Sequence, residues 1–76
     1  MQQFTLEPDR EFVELNQLLK LSGLCDSGGA GKMLVASGAV SVDGVVELRK
    51  TCKIRDGQVV RVGDAEIRVS AIQPVA

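Results

Sequence analysis

Apolar positions recur at helical spacing in the first third of the chain and at alternate positions in the last half. Phe12, Leu15, Leu18 and Leu19 fall on one helical face, and Pro8-Asp9 ahead of them predicts a helix start with acidic residues in its first turn. That helix spans residues 9–22 and stops at Ser22-Gly23, where a left-handed Gly23 folds Leu24 back onto Leu19. A second helix follows at once, with Ser27 as N-cap, Leu34 and Val35 on its apolar side and Gly38 as its stop. After Gly38 the period becomes two. Val40 and Val42 share one face with Ser41 on the other, and Asp43-Gly44 then predicts a hairpin turn. A second hairpin is expected around Gly63-Asp64, with Ile67, Val69 and Ala71 alternating with Glu66, Arg68 and Ser70. The basic connection "RKTCKIRDG" holds a short strand at Ile54-Arg55, and "FTL" at residues 4–6 adds an edge strand. These elements predict an α+β fold: two N-terminal helices followed by a small antiparallel sheet of about four to five strands. Residues 1–76 then form one domain.

The stretch "CDSGGAGKMLVASG" invites comparison with a phosphate-binding loop, but the pattern fails. It needs glycine where Asp26 stands, Ser or Thr where Met33 stands, and a strand in place of the helix that precedes it. Gly28, Gly29 and Gly31 therefore have another cause, since each costs up to about 1 kcal/mol relative to alanine in a helix. One explanation is close packing against the first helix. The other is access, because bare amides at a helix start can meet a phosphate oxygen. The two are compatible.

Composition narrows the chemistry. The 76 residues include no histidine, which removes Ser-His-Asp and Cys-His nucleophile chemistry. Cys25 and Cys52 are widely separated and read as reduced, buried thiols that cannot make a zinc site, so no catalytic residue, metal or cofactor is expected. No apolar run reaches about 18 residues and the start lacks a signal-peptide pattern, which predicts a cytoplasmic protein with no membrane association.

Net charge is −1, yet the charges are segregated. Residues 1–19 carry Glu7, Asp9, Glu11 and Glu14 against Arg10. Residues 20–55 carry Lys20, Lys32, Arg49, Lys50, Lys53 and Arg55 against Asp26, Asp43 and Glu47. A hairpin leaving the second helix returns its far end near that helix, so Lys32 and the Arg49, Lys50 and Lys53 run are expected to form one positive patch. Such a patch suits a polyanion. With no Trp or Tyr, and Phe12 assigned to the core, base stacking on a sheet is not expected. Recognition would work through phosphates, 2′-hydroxyls and shape.

The run "LNQLLKLSGLCDSGGAGKMLVASGAVSVDGVVE" resembles the S-four-type (alpha-L) RNA-binding domain family, which combines a leucine-containing helix, a Ser-initiated second helix and a G-x-V-x-V-[ND]-G hairpin. The last piece is Gly38-Ala39-Val40-Ser41-Val42-Asp43-Gly44, and the likeness covers about residues 12–62. Length and the "VELRKTCKI" continuation are similar to small stand-alone bacterial members of the YbcJ-like type. The resemblance implies an alpha-L motif and a non-catalytic protein that binds structured RNA, ribosomal or transfer RNA, with no small-molecule substrate; a monomer is the default expectation, since the sequence is silent on oligomeric state. It points to Ser27, Gly28, Lys32, Gly38, Ser41 and Asp43 as RNA-binding positions, to which the charge argument adds Arg49, Lys50 and Lys53. Many family members carry arginine after the helix-initiating serine, where this chain has Gly28-Gly29. That departure shifts contact onto backbone amides and Lys32. The alternative reading is a protein-interaction module on the same fold, supported by the missing arginine and an acidic isoelectric point of about 5.2.

Overall fold

The alternation after Gly38 builds most of a five-stranded sheet. A computed structural model describes residues 1–71. Its elements are β1 (Gln2–Leu6), β2 (Phe12–Glu14), α1 (Leu15–Leu21), α2 (Gly28–Ala36), β3 (Val40–Val42), β4 (Val45–Val46), β5 (Lys53–Arg55), β6 (Val59–Val62) and β7 (Ala65–Ala71). The large sheet has the order β1-β7-β6-β3-β4, and β2 and β5 form a separate ribbon. Both expected hairpins are present. Asp43 and Gly44 each take a positive φ, 51° and 84°, the signature of the type I′ turn that suits strand twist. Val42 pairs with Val60, and Val60 with Ile67, so the buried face runs unbroken across three strands.

Three expectations change. The sheet is mixed, because β1 runs parallel to β7, with Phe4 opposite Val69. Strands from opposite ends of the described chain have ample connection to meet in the same direction, which a tight hairpin cannot provide. The expected edge strand is present as β1, but a second strand, β2, also precedes the helices. Finally, the first helix is half the expected length: Pro8 and Asp9 form a turn, closed by the Arg10 N–H donating to the Glu7 carbonyl at 2.9 Å, and Phe12–Glu14 is extended. Val13 instead pairs with Ile54, and this tertiary pairing outweighs local helix preference. Phe12 consequently lies outside the core.

The stops fall where glycine predicts them. Gly23 has φ 84°, its N–H bonds to the Lys20 carbonyl and that of Leu24 to the Leu19 carbonyl, both at 3.1 Å, completing a Schellman cap. Leu15, Leu18 and Leu19 of α1 are fully buried with Val35 of α2 and Val40, Val60, Ile67 and Val69 of the sheet. Each such side chain contributes about 1.5–3 kcal/mol by leaving water. Among the described residues no helix is long and apolar enough to cross a membrane.

Candidate functional site

The start of α1 has no side-chain cap; the basic connection caps it instead. The Leu15 N–H donates to the Cys52 carbonyl at 2.9 Å and the Asn16 N–H to the Lys50 carbonyl at 3.1 Å. Orphan amides of a helix end thus hold residues 50–52 by their backbone. Beside them lies α2, joined to α1 by a glycine contact. A Cβ on Gly31 would sit 2.7 Å from the Asn16 carbonyl oxygen, so only glycine lets the helices approach this closely.

These constraints create an open groove of about 780 Å³ lined by Lys32, Arg49, Lys50 and Lys53 together with Leu48, Thr51 and Cys52. All four expected cations meet there. They are not equivalent. Arg49 is clamped by Glu47: its Nη2 lies 2.9 Å from Oε1, its Nε 3.1 Å and its backbone N 3.0 Å from Oε2. This side-chain hydrogen bonding, with the backbone bond second, holds the Glu47 carboxyl down at about 2. Arg49 therefore carries its own counter-charge, leaving Lys32, Lys50 and Lys53 as the lining cations without an acidic partner in the groove. Burial pushes the neighbouring Cys52 thiol up, which opposes thiolate formation.

The N-terminus of α2 is the second component. The Ser27 Oγ accepts from the Ala30 N–H at 3.1 Å and the Gly31 N–H donates to the Ser27 carbonyl at 3.0 Å. The amides of Gly28 and Gly29, first in the helix, have no intrahelical acceptor. A Cβ on Gly29 would meet only the Ser27 Oγ, at 3.8 Å, whereas on Gly28 it would come within 3.0 Å of the Gln17 Nε2. Packing thus accounts for Gly31, and access is left for Gly29. One turn on, Lys32 is exposed.

The other expected positions serve the fold locally. Gly38, at φ 82°, ends α2. Ser41 is half-buried on β3 between Val46 and Arg61. The Asp43 carboxylate accepts from the Val59 N–H at 2.9 Å, tying the hairpin to β6. None of these three lines the groove. One residue escaped the sequence reading, and another was assigned by it to the core. Asn16 is 3% exposed and its side-chain Oδ1 has no partner among the described residues, directly behind Gly28 and Gly31; its only signal is an amide side chain next to buried leucines. Phe12 lies beneath Lys53 and Arg55, their charged groups 5.0 and 5.7 Å from the ring centroid.

A two-helix corner, an Asp-Gly hairpin and a cationic groove between them define an alpha-L type of domain. The S4 domain family model matches residues 6–70, and the chain belongs to that family. Over 59 residues it is 49% identical to YbcJ of Escherichia coli (strain K12), whose name carries a provisional RNA-binding designation, and to the YbcJ of Shigella flexneri, named as uncharacterized. Each match covers 78% of this chain and 84% of the relative. The solution structure of Escherichia coli YbcJ, described as revealing an alpha-L motif involved in RNA binding, is similar with a TM-score of 0.72 and 45% identity, over 93% of this chain and 89% of that one.

Proposed function

We propose that this protein is a non-catalytic RNA-binding protein that grips structured RNA, ribosomal or transfer RNA, as a monomer through phosphate and shape contacts. The observation that carries the reading is the convergence of Lys32, Lys50 and Lys53 on one groove. The Gly28 and Gly29 amides at the start of α2, which have no acceptor among the described residues, add to it. Ammonium groups supply attraction to phosphates without sequence preference, and helix amides add directed donors where the dipole favours an anion. Membership of the S4 domain family and the RNA-binding descriptions attached to Escherichia coli YbcJ support the same reading. Lys32→Glu and Lys50→Glu, assayed by fluorescence anisotropy on folded transfer RNA, should each weaken binding about ten-fold or more through loss and reversal of one phosphate contact. Unchanged affinity in both variants would remove the groove from the interface.

A protein-interaction role on the same fold is the second reading, favoured by Val45, Val46 and Leu48, which are 57–70% exposed at and just beyond the edge strand β4. Recovery of one stoichiometric protein partner, insensitive to nuclease and lost in Val46→Lys, would favour it over RNA binding.

A further inference from the structure

Phe12, which the sequence pattern assigns to the core, instead forms part of a surface pocket. The β2–β5 register sets Phe12 opposite Arg55 and Glu14 opposite Lys53. Those four side chains share one face of the ribbon, while Val13 and Ile54 between them turn to the core. Beside the ring is a pocket of about 600 Å³ that contains both aromatic residues of the chain, Phe4 and Phe12. Leu21, 61% exposed, adds to its apolar wall, and Glu14 and Gln17 supply polar atoms at its edge. Lys53 lines this pocket and the basic groove alike, so the two adjoin at that side chain.

This chemistry describes a narrow class of occupant. A free phosphate would meet Arg10 and Lys53 but would leave the apolar wall unfilled and would also face the Glu7 and Glu14 carboxylates. A flat heterocycle fits both features: it can displace the Lys53 and Arg55 charged groups that lie over the Phe12 ring and stack there, while its exocyclic amine donates to a carboxylate and its ring nitrogens meet an amide. Lys53, at the junction, is placed for the phosphate attached to that heterocycle.

We propose that the Phe12 pocket takes an unpaired nucleobase of an RNA strand whose phosphates lie in the basic groove, an inference that rests on the RNA-binding reading. Bases are free to splay out only in loops, bulges and ends, so the protein selects RNA carrying unpaired nucleotides over continuous duplex. The test uses an RNA hairpin with an unpaired loop and a blunt duplex of the same length and phosphate number. Wild type should favour the hairpin. Phe12→Leu, which keeps an apolar side chain but removes the ring under Lys53, should lower hairpin affinity about ten-fold and duplex affinity far less. Phe12→Trp should retain hairpin binding, and its indole fluorescence, strong in a chain without native Trp or Tyr, should be quenched by the hairpin alone. Equal wild-type affinity for the two RNAs, equal loss of both in Phe12→Leu, or an unquenched indole would overturn the pocket assignment. Binding of neither RNA by wild type would overturn the RNA-binding reading itself.

Discussion

Two glycines two positions apart in α2 have opposite roles. At Gly31 a methyl group would run into the Asn16 carbonyl of α1, which is backbone and cannot move aside cheaply. The helix-propensity gain of alanine, about 1 kcal/mol, is smaller than the cost of forcing two packed helices apart, about 1–3 kcal/mol. Gly31→Ala should therefore lower stability in urea denaturation. Gly29→Ala meets only the Ser27 Oγ at van der Waals distance and should be neutral or stabilising by up to about 1 kcal/mol. The same open space lets Gly29→Arg add a guanidinium at the start of α2, about one turn before Lys32. Its propensity gain is roughly cancelled by an unfavourable cation at a helix N-terminus, so stability should hardly change while RNA affinity rises about five-fold or more in anisotropy titrations.

Among the elements, the connection from β4 to β5 is the most distinctive, because it is ordered without regular structure of its own. Backbone bonds from the start of α1 hold one end and the Glu47–Arg49 pair holds the other. Glu47 has a depressed folded pKa, so its stabilising contribution is fully present above the ordinary value near 4.5 and is lost as pH falls through about 2. Urea denaturation across that window should show a loss of stability in wild type that is reduced in Glu47→Gln. At neutral pH the same variant frees Arg49 and should tighten RNA binding. Turn and cap geometry here was readable from local chemistry: Asp43-Gly44, Gly23 and Gly38 each need a positive φ, and that need is written in the residue type. β2 was not readable, because "FVEL" fits a helical period as well as an alternating one and its partner lies some forty residues away. The lysines of the groove were visible as a basic run. The Arg49 pairing was not, since it joins residues two apart in an irregular segment, and the capping of α1 by carbonyls leaves no trace in side-chain identity.

At the scale of the molecule, a chain of net charge −1 brings three cations that have no ion pair among the described residues, Lys32, Lys50 and Lys53, to one groove, while Glu7, Asp9 and Glu11 lie in the segment leading to β2. Attraction of a polyanion is then local and short-ranged, set by the lysines that line the groove and screened over roughly 8 Å at physiological salt. Lys32, Lys50 and Lys53 imply about three neutralised phosphates, and Arg49 adds none while Glu47 holds it. The most direct test is the RNA dissociation constant of wild type and Lys50→Glu measured across a salt series. A groove gripping RNA through three lysines predicts a slope of log affinity on log salt of about −2 to −3, shallower by about one in the variant. A slope near zero, or one that Lys50→Glu leaves unaltered, would contradict it.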